Sequence, residues 1–157
     1  MRIRIRIKNY KTKMNSNITI ENLLKKPYHV IDFLPMQVPK GSEGQFFDVE
    51  KHYLKNAKEI HNKFTDIILK LNCYYDLEFI VDDKSQINPK PNVIEKNIKS
   101  KKYVLIRFDK ALITIDKGDL YMTIYNPNSN NLKILKDLAI SNGLFLWKPR
   151  KKEGTNI

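Results

Sequence analysis

The sequence predicts an α+β domain, a mainly antiparallel sheet with a long helix and a shorter C-terminal helix packed on one face. Three observations predict it. A continuous apolar stripe at three- and four-residue steps runs from Phe46 to Leu71, the spacing of one helix face. Three short apolar, β-branched runs then follow between Tyr103 and Tyr125, separated by two and four residues, which makes them antiparallel neighbours. Helical and strand patterns are also partly segregated along the chain, as α+β folds require.

The elements follow in order. Residues 18–26 read as a short helical turn with Thr19 as its cap. Tyr28 to Leu34 is a compact apolar strand stopped by Pro35. Two prolines and two glycines make 35–44 a loop. Ser42 and Gln45 then stand at capping-box spacing. Behind them Phe46, Val49, Tyr53, Ala57, Ile60, Phe64, Ile67 and Leu71 form the stripe. One helix over 45–72 would be ~40 Å long and needs a sheet to lie on. Tyr74 to Val81 reads as a strand ended by Asp82-Asp83, and 82–100 as an irregular loop with one helical turn at 92–98. Three meander strands follow at 103–108, 111–115 and 120–125. A helix at 130–142 turns Leu132, Leu135, Leu138 and Ala139 inward and stops at Gly143. Leu144 to Trp147 is the last strand. The order β-α-β, three strands, α-β is related to a ferredoxin-like split βαβ with an inserted hairpin.

At 157 residues the chain is one domain with loose ends. A single cysteine, Cys73, excludes an intrachain disulfide and points to a reducing, cytoplasmic location. No apolar run is long enough to span a bilayer. The net charge of +12 suggests a nucleic-acid partner until it is divided by position. Residues 1–26 carry +7 and residues 148–157 carry +3, whereas 27–147 carry only +2. The basicity is terminal. Three of the five arginines fall in the first six residues, an Arg-Ile repeat, and Met14 is an alternative start whose use would leave +6. Residues 1–17 are read as a basic leader, either unstructured or an edge strand on which Ile3, Ile5 and Ile7 alternate with arginine. The domain proper is placed at 18–149, and 150–157 is read as a basic flexible tail.

No residue pattern names an activity. His29, His52 and His61 lack metal-ligand spacing, and the latter two are expected at the boundary of the helical stripe. Cys73 reads as a buried structural thiol. Asp76, Glu78, Asp82 and Asp83 either gather at one strand end or line a solvated one. No metal or cofactor is expected. The best anion-site candidate is the entry to the long helix, Lys40, Gly41, Ser42 and Gly44. A helix N-terminus there offers free N–H groups and a favourable dipole. Glu43 opposes an anion, and the same residues make an ordinary loop. For nucleic acid, Lys101 to Phe108 echoes the RNP1 strand of RNA-recognition domains, although Lys102, Val104 and Leu105 depart from it. Lys101, Lys102, Arg107 and Arg150 supply charge, and Tyr121 and Tyr125 alternate on one strand face where they stack bases or cover a helix.

Several stretches carry a family likeness. Tyr28-His-Val-Ile-Asp-Phe-Leu-Pro-Met-Gln-Val-Pro39, Gly44-Gln-Phe-Phe-Asp-Val-Glu50, Leu71-Asn-Cys-Tyr-Tyr-Asp76, Tyr121-Met-Thr-Ile-Tyr-Asn-Pro127 and Gly143-Leu-Phe-Leu-Trp-Lys-Pro149 resemble a family of uncharacterised small bacterial proteins. The resemblance implies a single domain from about residue 18 to 149 and transfers no activity.

Three functions remain open on the sequence. The first is a non-catalytic cytoplasmic binding or regulatory module, an accessory to another protein. The second is a nucleic-acid binder using the basic ends and the sheet tyrosines. The third is an enzyme on a phosphorylated small molecule at the 35–45 loop.

Overall fold

The computed structural model describes residues 18–150. The leader, and the basic tail after Arg150, lie outside the described residues. Seven strands form one sheet in which every pair is antiparallel: β1 (Tyr28–Asp32), β2 (Glu78–Val81), β3 (Lys84–Ile87), β4 (Val104–Phe108), β5 (Ala111–Ile115), β6 (Tyr121–Tyr125) and β7 (Phe145–Trp147). Their order across the sheet is β3-β2-β4-β5-β6-β1-β7. The expected meander is its centre, and β1 returns from the start of the domain to separate β6 from β7.

Alternation sorts the side chains onto two faces. Ile31, Phe79, Ile106, Ile113, Met122 and Ile124 face the main core. Onto them pack α3 (Ala57–Leu71) through Ile60, Phe64, Ile67 and Ile68, and α5 (Ser129–Ser141) through Leu135 and Ala139. A third helix, α4 (Pro91–Lys99), lies against α3 and buries Ile94 and Ile98. It occupies the segment read as a loop with one turn. Pro91 at its start supplies the fixed φ that a first helical turn accepts. The other face is covered in part by α1 (Ile20–Leu23), whose Leu23 is buried where it packs on β5. Thr19 caps α1 as expected, its side chain accepting the Asn22 N–H.

The single long helix is not formed. The chain folds α2 (Glu43–Leu54), breaks at Lys55 and Asn56, and resumes as α3. Asn56 sits outside the helical region at φ −120° and ψ 34°, a position that asparagine accepts more readily than most residues. Only α3 lies on the core; α2 buries no residue. The expected capping box is also absent. Ser42 has φ −102° and ψ 12° rather than the extended geometry of a cap, and its side chain makes no capping bond.

Two burial expectations and one strand boundary are corrected. Cys73 is exposed, because the chain unwinds there into turns before reaching the sheet. His61 is 2 % exposed, with its Nε2–H donating to the Asp119 carbonyl at 3.0 Å, so a specific partner carries it into the core. The second strand begins at Glu78 rather than Tyr74. Ahead of it, side-chain amides replace ladder bonds: the Leu77 N–H donates to Asn88 Oδ1 at 2.9 Å and Asn72 Nδ2 to the Tyr75 carbonyl at 3.2 Å. At the far end of α5 Gly143 adopts φ +72° and ends the helix as predicted.

Candidate functional site

On the face opposite α3 and α5, β1 presents Tyr28, Val30 and Asp32, β6 presents Tyr121, Thr123 and Tyr125, and β7 presents Trp147. Register makes these neighbours, since Asp32 stands opposite Tyr121, Val30 opposite both Thr123 and Trp147, and Tyr28 opposite Tyr125. The chain leaving β1 turns back over this face. Met36, Gln37 and Val38 roof it, Phe46 of α2 closes one side, and Pro149 another. The Arg150 backbone N–H donates to Gln37 Oε1 at 2.7 Å, tying the roof to the segment after β7. The cavity is half open and measures about 470 Å³, within the range of small-molecule sites.

Its floor holds an acid. Asp32 is 8 % exposed. Burial pushes its carboxyl up to about 6, Glu50 adding to the rise, while the N–H groups of Phe33 and Leu34 and the Trp147 indole oppose it. The Phe33 N–H reaches Oδ1 at 2.8 Å. The buried Trp147 Nε1–H lies against the carboxyl and favours its ionised form without reaching full hydrogen-bond geometry. Among the described residues no lysine, arginine or histidine forms an ion pair with Asp32, and none lines the cavity.

The phenols above it are kept neutral. Tyr121 is pushed up to about 12 by burial and by the nearby Asp119 carboxylate. Tyr125 is raised by burial and by Tyr28, whose ring centroid lies 5.6 Å away. Burial also raises Asp119, with Asp116 contributing. The surroundings of the cavity are therefore acidic and aromatic in a chain of net charge +12.

The loop candidates Lys40, Gly41, Ser42 and Gly44 lie beyond this roof rather than in the cavity. Gly41 needs its glycine, having φ +98°, but its N–H already donates to Glu43 Oε2 at 2.9 Å. The nucleic-acid candidates are dispersed. Tyr121 and Tyr125 line the cavity. Arg107 shares their face of the sheet and lies 3.6 Å from Glu78 Oε1. Lys102 pairs with Asp82 at 2.8 Å, Lys101 packs its stem on Gly118, and Arg150 follows the pocket wall. The four acids do not gather. Asp76 accepts from Asn88 at 2.9 Å, Glu78 from Ser85 at 2.7 Å, and Asp82 takes Lys102, while Asp83 occupies a turn.

Among the described residues no group of His, Cys, Asp and Glu is arranged to hold a metal ion, and no helix is long and apolar enough to cross a membrane. His52 is exposed and edge-on to Tyr53, and His29 Nδ1 is buried without a hydrogen bond on the opposite face, where burial and Lys148 lower the pKa of the ring. Sequence reasoning passed over Asp32 and Trp147. The available signal was an acid at the alternation position of Val30 in an otherwise apolar strand. The site's class is thus a roofed cavity on an antiparallel sheet, with aromatic walls and an acidic floor. No family model, curated protein or solved structure matches this chain.

Proposed function

We propose that the protein is a non-catalytic, cytoplasmic binding module that holds a small molecule between the open sheet face and the loop after β1. The single cysteine, which allows no intrachain disulfide, supports the cellular setting. The observation that carries the reading is a buried carboxylate without a countercharge, at the floor of a cavity of about 470 Å³. Such a group costs stability while it lacks a countercharge, perturbed carboxyls of this kind concentrate at functional sites, and aromatic walls with few convergent polar groups are the common make-up of ligand sites. A protein partner fits the same reading. The exposed face of α2, with Phe47 56 % and Leu54 48 % exposed, supports an accessory role. The nucleic-acid reading draws less support, because its cations are scattered or paired with acids.

Trp147 is the only tryptophan and lines the cavity, so its fluorescence reports occupancy directly. Titration with small aromatic compounds is expected to shift the emission in a saturable manner. Thr123→Phe, which fills the cavity, is expected to abolish the response with the fold intact. A response unaffected by that substitution would place binding elsewhere.

A further inference from the structure

The chemistry of the cavity goes further than its existence. Resting on the proposal that the cavity binds a small molecule, we infer that the ligand is an organic cation, an ammonium group carried on a compact apolar or aromatic body. The first ground is the wall. Tyr28, Phe46, Tyr121, Tyr125 and Trp147 line one cavity, and the faces of aromatic rings attract ammonium groups, which is how aromatic cages recognise alkylated amines. The second ground is the floor. Asp32 is 8 % exposed, faces the same space and has no cationic partner among the described residues. A bound ammonium supplies the missing charge.

The third ground is the surroundings. Glu50 acts on both Asp32 and Asp119, and Asp116 acts on Asp119, so the carboxylates at the Asp32 end of the cavity disfavour an anion there. That effect is local. The chain as a whole is strongly basic, and its overall charge alone would have pointed to the opposite ligand. An apolar body is required as well, since Val30, Leu34, Met36 and Val38 also line the space and offer no side-chain hydrogen bond.

The test uses three probes of equal body and different head: phenethylammonium, phenethyl alcohol and phenylacetate, titrated against full-length protein with Trp147 emission and calorimetry as readouts. The cation is expected to bind roughly tenfold or more tighter than the alcohol, and phenylacetate weakest. Asp32→Asn keeps the acceptor for the Phe33 N–H and is expected to erase the preference for the cation without erasing binding of the alcohol. Tyr121→Phe serves as a second variant that retains the ring and is expected to retain the preference. Equal binding of all three probes, or preference for phenylacetate, overturns the cation inference while the cavity reading stands. Absence of binding by every probe at millimolar concentration overturns both.

Discussion

The Trp147 indole stands beside the Asp32 carboxylate because Val30, two residues before the acid on the same strand face, pairs with Trp147 across the β1–β7 ladder. The two residues are remote in sequence, and the antiparallel register alone brings them to one cavity. Apart from the indole, only backbone N–H groups favour the ionised acid. That balance has a direct consequence for stability.

Asp32 has an ordinary carboxyl value of 3.8 in the unfolded chain and about 6 in the fold. Between these values the folded state holds more protons, so stability falls as pH rises through the window, and the loss is complete above about 6. Asn cannot ionise. Asp32→Asn is therefore expected to raise unfolding free energy by about 1–2 kcal/mol near neutral pH and to leave it nearly unchanged below the unfolded value. Urea denaturation at the two pH extremes measures the difference, and an equal effect at both would remove ionisation as the cause.

Tyr121 titrates late for a different reason, since a phenolate there would be partly desolvated and would face the Asp119 carboxylate. Spectrophotometric titration is expected to show a tyrosine class that stays protonated until about 12. Tyr121→Phe should remove one residue from that class. If the late class keeps its full amplitude in the variant, the phenol–carboxylate relationship is wrong.

How much of the fold and the cavity was legible in the sequence depended on the range of the interactions concerned. The meander, Thr19, Gly143 and the amphipathic α3 rest on local spacing and capping, and they were read correctly. The break at Asn56 was hidden because the apolar stripe continues through Tyr53 into Ala57; what distinguishes the two helices is that α2 buries no residue whereas α3 buries eight. β3 was missed because all four residues, Lys84 to Ile87, are exposed and carry no alternating pattern. The cavity was missed because β1 sits between β6 and β7, an order that arises from pairings between distant segments. Asp32 could be seen as the end of a strand, but not as the floor of a site.

Asn131 illustrates a buried polar group with every role filled. It is 0 % exposed, its N–H and Oδ1 complete a reciprocal capping box with Asn128, and its Nδ2 donates to Tyr75 Oη at 3.0 Å and Asp109 Oδ2 at 3.2 Å. One side chain thus joins the start of α5 to the β4–β5 turn and to a core tyrosine. Asn131→Ala would break the reciprocal cap with Asn128 and the bonds to Asp109 and to the buried Tyr75 hydroxyl, and a destabilisation of about 2–3 kcal/mol is expected by thermal or chemical denaturation. Asn131→Asp, which keeps the cap acceptor but faces Asp109 with a like charge, should fall no closer to the wild type.

The turn between β2 and β3 makes the opposite case, a place where the native residues are not the most stable choice. Val81 pairs with Lys84, leaving a two-residue loop, and Asp82 and Asp83 have φ of 52° and 62°. Both positions in the left-handed region are what a type I′ turn requires, and glycine is preferred at the second. Asp83 has no side-chain bond among those found at the turn, whereas Asp82 holds Lys102 at 2.8 Å. Asp83→Gly should therefore relieve left-handed strain without removing a contact, a gain of about 0.5 kcal/mol after the added chain entropy of glycine is set against it. Asp82→Gly relieves the same strain but loses the Lys102 pair, and is expected to gain less. Equilibrium denaturation of the two variants side by side tests the ordering, and a loss of stability in Asp83→Gly would show that its aspartate does more at the turn than adopt the required φ.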